Sequence, residues 1–137
     1  MNFGYFLWSI TLYKITLITG LPGSGKTFLA TKMAIENDAI VIDDIRETGE
    51  LPKTNCDCNI VITDINLCDS RILDMCIDQL TIRYPMHVLN VIYFENDPDA
   101  CRANVVRRND GRDVEGSIRR FTAVYNPPVD ALSVYKR

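Results

Sequence analysis

Residues 20–27 read GLPGSGKT, the pattern G-x-x-x-x-G-K-[ST] that cradles nucleotide phosphates. Its glycines let successive backbone N–H groups turn toward phosphate oxygens, and a helix starting at Gly25 adds its positive end. Lys26 supplies a cation for the β- and γ-phosphates, and Thr27 supplies a hydroxyl ligand for Mg²⁺. Gly20, Leu21, Pro22, Gly23, Ser24, Gly25, Lys26 and Thr27 are therefore the expected ATP-binding loop. With average residue usage, such a match arises by chance in roughly one chain in 200 of this length.

Other residues carry chemistry that complements this loop. Asp64 closes the run IVITD, where a carboxylate holds Mg²⁺ directly or through water. Asn66, two residues on, is placed to hydrogen-bond near the same rim on the acceptor side; a plain turn residue is the competing reading. Asp43 and Asp44 follow the apolar run AIVI. A carboxylate there accepts the proton of an acceptor hydroxyl as a phosphoryl group transfers. Neighbouring residues leaving a strand point in opposite directions, so one of the two faces the site. Arg46 returns to the side of Asp43 if one helical turn intervenes. Six of the ten arginines fall between positions 102 and 120, with no lysine among them. Arginine's planar fork suits phosphate oxygens, and this segment is expected to fold over bound ATP as a lid. Arg108 and Arg112 flank the N-D-G turn and are the expected phosphate contacts. Arg102, Arg119 and Arg120 are expected on helix faces, paired with Asp99, Glu115 or solvent.

The elements that must position these residues alternate along the chain. KITLIT (14–19) is a buried strand by composition, followed by a helical pattern over 26–36. AIVI (39–42) and IVIT (60–63) are further strands, a helix spans 70–84 with an i+4 apolar repeat, and VLNVIYF (88–94) is a fourth strand. Asp97-Pro98-Asp99 starts a helix that ends at Gly111, and a last helix covers about 113–125. Strands alternating with helices imply a parallel sheet covered on its faces. Ligands gather outside the carboxyl ends of such strands. Gly20, Asp43 and Asp64 share that rim.

The 137 residues fit one domain, with 47% apolar and 24% charged residues, ordinary for a globular protein. A net charge of −3 offers no global basic field for coating nucleic acid. The five cysteines form an odd, scattered set, which predicts reduced thiols and a cytoplasmic setting. Residues 3–13 are an uncharged apolar run, too short to span a membrane and lacking the flanks of a signal peptide. The expected division is an N-terminal extension (1–13, strand or arm), a nucleotide-binding domain (14–126) and a C-terminal tail (127–137). Cys56-Asp57-Cys58 has no second pair at zinc spacing, so no metal is expected there. His87, the only histidine, precedes the fourth strand with no expected chemical role.

Taken together, GLPGSGKT (20–27), DDIR (43–46), TDINL (63–67) and RNDGR (108–112) resemble the small P-loop kinases of the phage polynucleotide 5′-hydroxyl kinase type. Their order and spacing agree from about Lys14 to Tyr125. The resemblance implies a P-loop NTPase three-layer α/β sandwich, with a mostly parallel sheet of four or five strands and helices on both faces. It implies Asp43 as general base, Arg46 as a contact to the acceptor phosphate, and Arg112 as a transition-state arginine beside the catalytic Lys26. The implied reaction is transfer of the γ-phosphate of ATP, with Mg²⁺, to a hydroxyl of a nucleoside, nucleotide or nucleic-acid 5′ end. The chain departs from the pattern in the short stretch 46–59, where these kinases carry a longer helical segment. A nucleotide-binding ATPase or switch acting through a protein partner is the alternative, and it has no need of Asp43.

Overall fold

The computed structural model describes residues 12–43, 51–52, 56–109, 111 and 113–135. Asp44, Arg46 and Arg112, and residues 1–11 of the N-terminal extension, lie outside the described residues. The chain runs through β1 (Lys14–Thr19), α1 (Lys26–Asn37), β2 (Ala39–Asp43), β3 (Asn59–Thr63), a 3-10 turn (Ile65–Cys68) and α2 (Ser70–Arg83). It continues through β4 (Val88–Tyr93), α3 (Pro98–Arg108) and α4 (Glu115–Thr122). The four strands form one parallel sheet in the order β2-β3-β1-β4.

Alternation along β1 and β3 feeds two layers. Ile15, Leu17, Ile60 and Ile62 face Leu73, Leu80 and Tyr84, all within 5% of full burial, so α2 covers that side. Ile18 and Val61 pack with Ala30 of α1 and with Phe94 on the other. Fully burying each Leu or Ile is worth about 1.5–3 kcal/mol. A third cluster at the carboxyl rim joins Leu21, Cys68, Cys101, Phe121, Tyr125 and Val134. The result is the three-layer arrangement the motifs imply, with helices on both faces.

Helix ends follow local chemistry, with two departures from the sequence reading. Asp97 accepts a hydrogen bond from Ala100 N at 3.1 Å and Pro98 occupies the first turn of α3. That helix stops at Arg108 rather than Gly111, because Asn109 takes a left-handed conformation (φ 47°) and its N–H caps Val105 O. The last helix is confined to Glu115–Thr122, shorter than the periodicity suggested.

The segment beyond Tyr125 is tied into the domain. Leu132 N donates to Tyr93 O and Glu95 N to Leu132 O, both at 2.8 Å, forming a parallel bridge beside Phe94. The cysteine expectation needs one correction: Cys56 and Cys58 are joined by a disulfide. Their Cα atoms lie 5.5 Å apart, within the span a disulfide bridges. Cys68, Cys76 and Cys101 are free thiols. Among the described residues no helix is long and apolar enough to cross a membrane.

Candidate functional site

The parallel register brings three strand ends to one rim. Asp43 pairs with Thr63, and Ile18 pairs with Thr63 from the other side. The chain leaves β1 for the far edge strand β2 and leaves β3 for β4 on the opposite side, so the sheet's switch point lies at the β1/β3 rim. The phosphate loop emerges there.

The loop's shape depends on Gly23 (φ 85°) and Gly25 (φ 107°), conformations that L side chains rarely adopt. Neighbours also crowd both positions. A Cβ on Gly23 would stand 2.5 Å from Cys101 O, and one on Gly25 would stand 2.2 Å from the Tyr135 ring. Asn104 donates to Gly23 O at 2.9 Å and also bonds Tyr135 O, while Tyr135 N donates to Ser24 O at 3.2 Å. The loop is thus braced from behind by α3 and by the C-terminal segment. Tyr125 adds a further brace: its hydroxyl meets Thr19 Oγ1 at 3.2 Å and donates to Phe94 O. Burial pushes that phenol up to about 12.

A cavity of about 350 Å³ opens in front of the loop, lined by Pro22, Lys26, Thr27, Asp43, Asp64, Asn104 and Arg108 among others. Lys26 Nζ donates to Gly20 O at 2.6 Å and Leu21 O at 3.1 Å. Burial lowers its pKa from 10.5, and the acidic groups of Cys68, Cys101, Asp43 and Asp64 oppose that shift. An ammonium held this way gains from any anion that enters the cavity. Asp43 Oδ1 accepts the Thr63 hydroxyl at 2.8 Å, which fixes the carboxylate's rotation at the cavity wall. Asp64 is 4% exposed, and its Oδ1 accepts from Asn66 N at 2.8 Å and Asn66 Nδ2 at 3.0 Å. Asn66 therefore orients Asp64. The Thr27 hydroxyl and the Asp64 carboxylate are hard oxygen donors in one cavity, a set that fits Mg²⁺.

Among the described residues, Arg102 and Arg119 take the helix-face pairings expected of them. Arg102 pairs with Glu115 at 3.0 Å and with Asp99 at 3.3 Å, clamping α3 to α4, and Arg119 meets Glu115 at 3.1 Å. These bonds hold the Glu115 carboxyl below its ordinary value of 4.5, the Arg102 hydrogen bond most of all. Arg120 lies over the Phe121 ring. Arg108 lines the cavity. Sequence reasoning missed Thr63, Asn104 and Tyr135. Asn104 carried a signal, a polar residue on the buried side of a helix; the other two are visible only through their partners.

A second cavity of about 480 Å³ shares Asp64 with the first. Its walls are Leu51, Leu67, Ile72, Met75, Cys76 and Leu80, with Asn66, Gln79 and Arg83 as polar members.

No protein-family model matches the chain. An uncharacterized protein of Acanthamoeba polyphaga mimivirus is 29% identical over 106 residues, covering 72% of this chain and 75% of that protein. Among solved structures, a gluconokinase from Sinorhizobium meliloti 1021 superposes with a TM-score of 0.58 at 16% identity, over 91% of this chain and 84% of that one. A fungal RNA kinase superposes with a TM-score of 0.57 at 16% identity, over 93% and 76%. With the phosphate loop at the β1 end and helices on both faces of a parallel sheet, the chain has the α/β P-loop fold seen in these kinases.

Proposed function

We propose that the protein is an ATP-dependent phosphotransferase acting on a hydroxyl of a nucleoside, nucleotide or nucleic-acid 5′ end. The observation that carries this reading is Asp43. Its carboxylate is held by Thr63 in the same cavity as Lys26 and Thr27, where a kinase needs a base and a simple nucleotide switch does not. The loop's N–H groups and Lys26 would bind and orient the phosphates of ATP. Asp43 would take the acceptor hydroxyl's proton as the new P–O bond forms. Mg²⁺, held by Thr27 and Asp64, would offset charge on the phosphate oxygens. Arg108 would neutralise further charge from the lid side; Arg46 and Arg112, which lie outside the described residues, keep the acceptor-phosphate and transition-state roles their motif implies.

The second cavity shares Asp64 with the first and supports a nucleoside-like acceptor. Its apolar wall suits a base, and Arg83 suits a phosphate. The likeness to a fungal RNA kinase favours a nucleic-acid end, and that to a gluconokinase makes a sugar acid the comparison to beat. The test is incubation with γ-labelled ATP and a panel of hydroxyl-ended DNA and RNA, nucleosides, nucleotides and gluconate. Label on a nucleoside or a 5′ end is the expected result. Label on gluconate alone overturns the acceptor class. ATP hydrolysis with no labelled acceptor overturns the kinase reading in favour of the ATPase switch.

A further inference from the structure

The pole of the sheet opposite the phosphate loop holds a cluster that the proposed kinase chemistry does not use. Cys56 and Cys58 lie just before β3, and His87 lies just before β4. β1 separates those strands in the sheet, so the two loops meet across its entry. The donor atoms of all three residues lie within 4.8 Å of one another, and each residue is half-buried. His87 Nε2 is 2.9 Å from Cys58 O. A carbonyl only accepts, so Nε2 is the donor of that bond. The Tyr84 ring stands edge-on at 5.1 Å and His87 N donates to Tyr84 O at 3.1 Å, which hold the imidazole in place.

We propose that Cys56, Cys58 and His87 form a redox-gated site for a thiophilic divalent cation, zinc being the expected ion. The dithiol form binds the ion and the disulfide form excludes it. Zinc bonds of about 2.3 Å to sulfur and 2.0 Å to nitrogen place tetrahedral donors roughly 3.3–3.8 Å apart. All three donor atoms already lie within 4.8 Å of one another, and opening the disulfide frees the two sulfurs to separate to that spacing. On binding, each thiol gives its proton to solvent, and two thiolates and one imidazole nitrogen of His87 donate electron pairs to zinc. Water fills the fourth position. Loss of the ion proceeds by exchange with a low-molecular-weight disulfide such as glutathione disulfide. One protein thiolate attacks it and releases a glutathione thiolate; the second protein thiolate displaces the other. The protein pair loses two electrons, glutathione disulfide gains them as two thiols, and zinc leaves to solvent.

The remaining cysteines are poor rivals. Burial pushes Cys68 up to about 11, Cys76 up to about 11 and Cys101 up to about 12, which disfavours the thiolate that metal binding and exchange both need.

The test measures zinc retained by the reduced full-length chain after equilibration with zinc alone and removal of free ion. About one zinc per chain is expected for the parent, for Cys76→Ser and for Lys26→Ala. Less than about a tenth is expected for Cys56→Ser, Cys58→Ser and the parent treated with glutathione disulfide. His87→Gln should weaken binding by at least roughly 100-fold, the upper end of what loss of an outer partner costs. Circular dichroism checks folding of each variant. If a cysteine variant does not fold, alkylation of the folded parent, mapped by mass spectrometry, replaces it: zinc should protect Cys56 and Cys58. Retention below a tenth by the reduced parent, retention unchanged in the Cys56, Cys58 and His87 variants, or alkylation unaffected by zinc overturns the site.

Discussion

Gly25→Ala tests the bracing of the phosphate loop. At φ 107° an alanine is strained by about 1–3 kcal/mol. Its Cβ would also stand 2.2 Å from Tyr135 Cδ2, so the ring must leave. That ring packs edge-on with Phe28 at 5.1 Å and tilted with Phe94 at 5.8 Å. Losing both aromatic pairs costs about 1–3 kcal/mol more. The expected total of about 2–6 kcal/mol is a large part of the 5–15 kcal/mol that typically stabilises a domain. The two causes separate in a double-mutant cycle. Tyr135→Ala alone loses the ring contacts, and Gly25→Ala made in that background keeps only the backbone strain. Equilibrium urea unfolding of the four proteins should therefore show coupling of about 1–3 kcal/mol. Additivity to within about 0.5 kcal/mol would refute the claim that Tyr135 seals the loop.

Three further outcomes concern the chemistry. Asp43→Asn should lower single-turnover transfer by roughly 10²–10⁴ with ATP affinity nearly intact, since the amide keeps its shape but cannot take the proton; equal loss of ATP binding would make Asp43 a ground-state contact. Lys26→Ala should weaken ATP binding by roughly 10–150-fold, the 1.5–3 kcal/mol of a hydrogen bond to a charged group, read by isothermal titration of the folded variant. Asp64→Asn should raise the Mg²⁺ concentration for half-maximal turnover while leaving the fold unchanged, and a Mg²⁺ titration matching the parent would reduce Asp64 to an acid at a strand end.

Much of this protein is written locally. GLPGSGKT needs only its own glycines and a following helix to turn its N–H groups outward, so the loop is readable without its surroundings. The β-rich runs and the Asp-Pro start of α3 are likewise short-range signals, and the strand bounds agree with the structure to within about a residue. Parallel pairing then forces the ends of β1, β2 and β3 onto one rim, which is why Asp43 and Asp64 could be grouped from sequence. What only the tertiary structure decided are pairings between residues far apart in the chain. Thr63 fixes Asp43 because adjacent strands set them in register, 20 positions apart. Tyr135 reaches the loop because the C-terminal segment bridges to β4 and turns back over Gly25, where composition alone suggested a tail. Cys56 and Cys58 lacked a second cysteine pair, yet the sheet order carries His87, 29 positions beyond Cys58, to their side. Sequence spacing carries information about contacts within a helix, a turn or a strand. Contacts made by folding the sheet depend on which strands become neighbours, and no local pattern encodes that.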